Sequence, residues 1–503
     1  MTSELALVGV DIGATSIKVG AFTPAGRQLA LATRPNQPRP QVSGSSPSWR
    51  SWDAGELWSN VANALREVAA CLPNGTPPAA VAIAGFGADG APFTRSGRQR
   101  YPIISWHDAR AAGQAAWFEK KVGAADIYAV TGYHVYPINT LVRWRWLAEK
   151  EPESLDGTTW LMVPDIVAHG LCGELRSDPT SASTTMAYSL ADEAWAADLL
   201  RAAEIPETLP PPLTEPGEPL GSIPTSVSAE TGLPKGTPVV TGGHDCEVGA
   251  LVAANDDPGS FVDITGTWEM LLVERQMFHP AQELFEGAID WERHAVSGTF
   301  LCQSLMPAGS ILNWLRQLLY PGETWDALIA DARAVDPGAG GVMVIPAFVS
   351  GMGPFARRYS GGSVLGLRTA TTRADIVRAG FEALCYQLRQ QIELLERTLD
   401  RRCDSLRVLG GAQQNDFWLQ LKADVTGRAV DVIEVAEATA LGAALLAGSG
   451  AGVFSSARDV PRALKLPIRS FQPNDDRHAV YSELYEAAFR ALSDPARAPA
   501  EAS

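Results

Sequence analysis

Three short stretches bring carboxylates, hydroxyls and glycines together at spacings that can do chemistry. In "VDIGATSIK", Asp11, Gly13, Thr15, Ser16 and Lys18 fall on one strand–turn–strand. A tight turn of this kind can present backbone N–H groups and hydroxyls to a phosphate. Asp11 could orient a water on Mg²⁺ and Thr15 could reach a phosphate, although the same residues also make an ordinary hairpin. In "VVTGGHDCEVGAL", a strand bends at Gly242 and Gly243, and His244 and Asp245 follow at the start of a helix. A carboxylate held at such a bend can accept a proton from a hydroxyl. The alternatives are a helix cap or a zinc ligand, but no third ligand stands at zinc spacing. In "DITGTWE", Thr265, Gly266 and Thr267 can form a second phosphate cradle opposite the first.

A fourth stretch offers a surface rather than a reactive group. In "VLGGAQQNDFWLQLKADVTGRAV", Gly410 and Gly411 end a strand where a helix begins, so a flat ring or an anion can approach closely. In "EATALGAALLAG", Gly442 with Ala440, Ala443 and Ala444 allows tight packing of a late helix. A fifth stretch is a decoy. Gly85-Phe86-Gly87-Ala88-Asp89-Gly90 matches G-x-G-x-x-G, and Asp108 lies about twenty residues on, as in a dinucleotide fingerprint. That fingerprint needs a helix directly after the glycines. Here "APFTRSGRQRYPIISW" follows, punctuated by Pro92, Thr94, Ser96 and Gly97. It reads as a hairpin with "YPIISW" as the returning strand. What remains is a bend exposing Asp89 and a second bend bearing Trp106, Asp108 and Arg110.

These groups need a scaffold, and hydrophobic periodicity supplies one. "LALVGVDIG", "SIKVGAFT" and "RQLALATR" read as three consecutive antiparallel strands. Leu57, Val61, Leu65 and Val68 recur at helical spacing, as do Leu141, Trp144 and Leu147. "SFVDITGTW" and "EMLLVER" are strands opening a second half, so "VDIGATS" and "VDITGTW" suggest two related halves. A long helix follows, capped by Thr372, with Leu384, Leu388, Ile392, Leu395 and Leu399 on its buried face. After Pro473 a peripheral helix is expected, and "DPARAPAEAS" reads as disordered.

Composition narrows the partners. The chain has 503 residues and a formal charge of −16, from 41 Lys+Arg against 57 Asp+Glu. That balance argues against a general nucleic-acid or anionic-membrane surface. No stretch approaches the roughly eighteen apolar residues of a membrane span. Cys71, Cys172, Cys246, Cys302, Cys385 and Cys403 are scattered with no C-x-x-C, which fits a cytoplasmic protein with reduced thiols.

In order and spacing, these stretches together resemble the FGGY family of carbohydrate kinases, in the actin-like ATPase superfamily. The resemblance runs from about residue 5 to about residue 450. Further stretches carry it: "YPIISWHDARA", "LVRWRWLAEKEPE", "DPTSASTT" and "LTEPGEPLGSIP". It implies an α/β fold of two actin-like (ribonuclease H-like) domains, mixed sheets flanked by helices, around a central cleft. Residues 1–250 would hold the sugar and the base, 251–455 the ATP, and 456–503 a peripheral helix and tail. It further implies Asp245 as general base, with Asp11 and Asp245 about Mg²⁺. Gly13, Thr15, Ser16, Lys18, Gly266 and Thr267 would face the phosphates of ATP, and Gly410, Gly411, Gln414 and Asn415 the adenosine. Asp89, Trp106, Asp108, Arg110 and His244 would shape the pocket of a small ketose, deoxyketose or polyol. A homodimer is common in such a family. His244 before the base also occurs in its deoxyhexulose kinases.

The chain departs from the family pattern at two places. Ala88-Asp89-Gly90 stands where many members carry a Gln-Met-His-Gly segment, and "GMGPFARRYSGGSVLGL" lacks an intact Phe-Gly-Gly-Tyr motif, making the loop near 350–360 unusual. Two other readings compete. One is a regulatory, non-catalytic ATP binder of the same fold, against which the pair Asp11 and Asp245 argues. The other is the dehydrogenase, which tight NAD(H) binding would revive.

Overall fold

The computed structural model describes residues 5–41, 48–73, 76–254, 257–349, 353–355 and 361–490. Its first sheet runs Pro219–Ser222, Pro238–His244, Pro78–Gly85, Ala6–Ile12, Ser16–Phe22, Gln28–Pro35. The last three form the expected antiparallel meander, with Asp11 opposite Lys18. Ala6–Ile12 also pairs in parallel with Pro78–Gly85, which in turn pairs in parallel with Pro238–His244.

The second sheet runs Ile289–Arg293, Phe300–Pro307, Trp268–Arg275, Ser260–Thr265, Ser405–Leu409, Ala429–Ile433, Ile468–Phe471. It repeats the plan of the first. A meander begins with a hairpin, the first strand continues into two parallel neighbours, and an antiparallel strand closes the edge. The two hairpins that carry the candidate phosphate turns are therefore equivalent elements of two similar sheets.

One late helix ties the halves together. Ala438–Gly450 packs on the strand Ala6–Ile12 and on the helix Asp245–Ala253. The contact is backbone to backbone. A Cβ on Gly9 would lie 1.9 Å from the Ala440 carbonyl oxygen, and one on Gly442 would lie 2.1 Å from that of Val248. The small residues of "EATALGAALLAG" thus serve close packing against strand and helix.

The helix Arg373–Leu399 starts at a reciprocal Thr372–Asp375 capping box, as its sequence predicts, and buries Leu384, Leu388, Ile392, Leu395 and Leu399. Two expectations fail. The strand Gly90–Thr94 pairs with Thr158–Met162, not with "YPIISW"; the turn itself forms, closed by Thr94 N–H to Arg98 O, Arg100 N–H to Pro92 O and the bridge Phe93–Gln99, but Ile103–Ile104 pairs with Arg50–Trp52 instead. The strand after Gly90 still removes the helix that a dinucleotide site needs. Secondly, Asp475–Leu484 and its continuation Tyr485–Phe489 are not peripheral, because Tyr481, Tyr485 and Phe489 insert into the core with Tyr386 and Phe355. Their aromatic spacing outweighs the polar first turn. Residues 491–503, 350–352 and 356–360 lie outside the described residues, so the expectation for the C-terminal tail and most of the loop near 350–360 fall outside them. All six cysteines are free, and no described helix is long and apolar enough to cross a membrane.

Candidate functional site

A cavity of about 230 Å³ opens where the two sheets meet, lined among others by Asp11, Lys18, Asp245, Gly410, Glu437 and Thr439. Asp11 comes from the end of the strand Ala6–Ile12. Asp245 is the first residue of the helix Asp245–Ala253, where the strand Pro238–His244 ends in a register shift at Thr241/Gly243. Burial pushes the Asp11 carboxyl up to about 7, the Asp245 charge adds to this, and Lys18 opposes it. Lys18 is itself engaged by Glu437, 2.5 Å away. The Asp245 side chain is 25% exposed, so it is open to a ligand while anchored at a helix start. The Cys246 thiol donates to Asp245 Oδ1 at 3.2 Å.

The two candidate phosphate turns are braced from outside. Gly13 N–H donates to Ser16 O at 2.9 Å, and Asn36 holds the turn by donating from its backbone to Thr15 O and from Nδ2 to Gly13 O, leaving Thr15 exposed. In the second, Gly266 N–H donates to Trp268 O at 2.7 Å, while Gly309 and Ser310 N–H groups hold the carbonyls of Gly266 and Thr267. Beneath it Lys422 is buried, with Nζ 2.5 Å from Asp263 Oδ2, 2.6 Å from Glu269 Oε1 and 2.6 Å from Thr265 Oγ1. Burial works against the Lys422 charge, yet the two carboxylates raise its pKa. Gly410 adopts φ +90°, and a Cβ there would lie 2.6 Å from Thr265 O. Gly411 and Gln414 are exposed beside it, whereas the Asn415 amide oxygen is used to cap the next helix, accepting from Trp418 N–H.

His244 stands between these elements and the bend 85–90. Its backbone N–H donates to Thr180 Oγ1 at 2.8 Å. Nδ1 lies 2.5 Å from Glu247 Oε2 and 2.8 Å from Glu292 Oε2, and Nε2 lies 3.4 Å from Asp245 Oδ1. Burial disfavours the imidazolium, but the two glutamates outweigh it and raise the His244 pKa well above its ordinary value. Burial and the Glu292 charge hold Glu247 well above the carboxylate range, whereas Glu292 is lowered: burial opposes its charge, and His244 overcomes that. His244, Asp245 and Cys246, and separately His244, Glu247 and Glu292, bring ligand-type atoms within 4.8 Å of one another, a closeness that sequence spacing did not reveal.

The bend itself differs from expectation. Asp89 is 0% exposed and does not project. Its Oδ1 accepts from Arg143 Nη1 at 2.6 Å, and its Oδ2 from Trp52 Nε1 at 2.6 Å and from Trp106 N–H at 2.9 Å. Half-buried Trp106 stacks on His107 at 3.8 Å between ring centroids. Asp108 and Arg110 close on each other at 2.6 Å, and neither side chain is more than 1% exposed. The Arg110 guanidinium lies 4.0 Å over the Trp49 ring and bonds Gln41 and Tyr101. Asp89, Asp108 and Arg110 therefore build the wall from behind. Asp11, Lys18, Asp245 and Gly410 line one cavity, and His244 connects it to that wall. Sequence reasoning missed Asn36, Arg143, Glu247, Glu292, Lys422 and Glu437. Only Glu247, three residues after His244 at a helix start, had a local signal.

The family models for the N-terminal and C-terminal domains of the FGGY family of carbohydrate kinases match residues 6–252 and 262–451. The L-fuculokinase of Escherichia coli (strain K12) is 30% identical over 482 residues, covering 95% of this chain and 98% of its own. The xylulose kinase of Bacillus subtilis (strain 168) is 28% identical over 385 residues, 76% of each chain. Among solved structures, the xylulose kinase from Rhodospirillum rubrum is similar with a TM-score of 0.85 at 25% identity, covering 97% of this chain and 98% of that one. A ligand-bound xylulose kinase from Lactobacillus acidophilus shares the fold, with a TM-score of 0.88 at 18% identity over 98% of this chain and 99% of its own.

Proposed function

Because the chain belongs to the FGGY family of carbohydrate kinases, we propose that it moves the γ-phosphoryl group of ATP to a hydroxyl of a small ketose, deoxyketose or polyol, with Asp245 accepting the proton. That it is an ATP-dependent sugar kinase of the actin-like α/β fold follows from its family and relatives. The observation that carries the finer reading is the pair Asp11 and Asp245 facing one cavity, where burial chiefly, and then the charge of Asp245, raises the pKa of Asp11. Phosphoryl transfer needs positioning, charge neutralisation and one proton acceptor. Asp245 is open to a hydroxyl and sits on a rigid helix start.

The donor set fits Mg²⁺, which takes oxygen ligands and keeps several waters. Two carboxylates share the cavity, and the nearby Lys18 is already paired with Glu437. Asp11 and Asp245 would hold the ion, which supplies neutralisation of phosphate charge. The hairpin turns at Gly13–Ser16 and Thr265–Thr267 would take the phosphates, with Lys18 behind the first. Gly410, Gly411, Gln414 and the remaining amide of Asn415 would border the adenosine. His244 and Trp106 would contact the sugar beside Asp245. Asp89, Asp108 and Arg110 would act through the wall they brace. Fuculose and xylulose, in the names of two relatives, are both ketoses, which puts ketoses at the head of the substrate panel.

The test is ADP release over a panel of ketoses, deoxyketoses and polyols, with NMR of the product to locate the phosphate. Asp245→Asn is expected to abolish release while sugar binding survives. No stimulation by any sugar would favour the non-catalytic binder, and near-wild-type turnover in Asp245→Asn would remove the base assignment.

A further inference from the structure

The strand Ile289–Arg293 is the edge of the second sheet, and its open side is sewn to the first half of the chain. Trp291 N–H donates to Gly132 O at 2.9 Å, and Arg293 N–H to Ser183 Oγ at 3.1 Å. An exposed edge of this kind is ordinarily a liability that a fold must cover. Side chains two apart share a face of a strand. Asp290 and Glu292 both point across the seam, Asp290 to His134 and Tyr136, Glu292 to His244 and Tyr133.

Glu292 is fully engaged there. Its Oε1 accepts from Tyr133 OH at 3.1 Å and from Gln303 Nε2 at 2.5 Å, and its Oε2 accepts from His244 Nδ1 at 2.8 Å. With Nδ1 committed to the glutamates, the other ring nitrogen can face only the opposite way. Nε2 lies 3.4 Å from Asp245 Oδ1 and looks past Gly87, where a Cβ would stand 3.0 Å from it. The missing side chain at Gly87 leaves that side of the imidazole open toward the bend 85–90.

We propose that Glu292 is a positioning residue for the base: from the second sheet it clamps His244 so that Nε2 faces Asp245 and the sugar, which ties the aim of the base to the seating of the two halves. The inference rests on the reading of Asp245 as the base. An outer partner that orients a metal-binding side chain is typically worth about 10- to 100-fold in metal affinity or activity, and the same scale is assigned to Glu292 because the His244 it holds lies against Asp245.

The experiment is a double-mutant cycle in the full-length enzyme, with the best sugar of the panel and with Asp245→Asn as reference. Glu292→Gln is expected to lower kcat about 10- to 100-fold while the Kd for ADP stays unchanged. His244→Asn keeps a donor near the Nδ1 position but offers nothing at Nε2, and is expected to lose as much. The double variant should be no worse than the poorer single one, because residues acting as a unit are non-additive. Asp290→Asn loosens the same seam without touching His244 and should leave sugar kinetics unchanged. Wild-type kcat in Glu292→Gln, additive losses, or an equal loss in Asp290→Asn overturns the proposal. If Glu292→Gln does not accumulate, Glu292→Asp, which retains the charge but withdraws it by one methylene, is used in the same cycle under the same criteria. Turnover surviving in Asp245→Asn would instead remove the base assignment on which the inference stands.

Discussion

Replacing Gly410 by alanine tests whether the nucleotide side of the cavity is built on backbone shape. Gly410 has φ +90° and ψ −169°, a region that only glycine visits freely. Holding alanine there costs about 1–3 kcal/mol. The added Cβ would also sit 2.6 Å from Thr265 O, so either strand end must retreat toward an ordinary contact distance of about 3.5 Å. Thr265 leads directly into the Gly266–Thr267 turn, so the same retreat displaces the proposed phosphate contacts. The expected result is a loss of about 2 kcal/mol in folding stability and about tenfold weaker ADP binding, equivalent to about 1.4 kcal/mol. Sugar binding without nucleotide should be unaffected. Denaturant unfolding and calorimetric titration of ADP measure the two effects. Gly411→Ala is the stability control, since a Cβ there meets nothing within 4 Å. If Gly410→Ala matches wild type in both measurements, or Gly411→Ala is equally destabilised, the reasoning fails.

Lys422→Met leaves Asp263 and Glu269 buried without their cation, and is expected to destabilise the enzyme by about 3–5 kcal/mol in urea unfolding; an unchanged midpoint would show that the network is dispensable. Asp89→Ala likewise strands the buried Arg143 guanidinium, so the expected loss is of similar size, about 3–5 kcal/mol in stability, and not confined to sugar KM. Asp11, raised from 3.8 to about 7, holds a proton in the folded state between those values, so its contribution to stability is present at low pH and lost as pH rises through about 7. A cation favours the carboxylate form, so Mg²⁺-nucleotide binding at pH 6.5 should release protons, measured as a dependence of calorimetric heat on buffer ionisation enthalpy; no such dependence would contradict the Mg²⁺ placement.

The turns and strands were legible because their determinants are local. An apolar run ending in Asp and Gly marks Ala6–Ile12, alternation marks Ser16–Phe22, and a Thr–Asp box three residues apart marks the start of Arg373–Leu399. The carboxylates were legible only as candidates. Asp89 and Asp245 each stand at a bend after a buried strand, and nothing within a few residues separates them. Arg143, 54 residues away on a helix, decides that Asp89 is an internal partner, whereas Asp245, beside His244 and Cys246, keeps its side chain 25% exposed at the cavity. Glu292 reaches His244 across 48 residues, and Lys422 reaches Asp263 across 159. A charge that binds a ligand and a charge that is already neutralised share the same local pattern. Which of the two a given carboxylate is depends on long-range packing. The glycine-rich bend illustrates this: its glycines neither bind a dinucleotide nor present Asp89, but Gly87 leaves open the side of His244 that looks toward Asp245. In the proposed arrangement the bend therefore bears on catalysis through the side chain it lacks, with the His244 ring held from the other sheet by Glu292 at 2.8 Å.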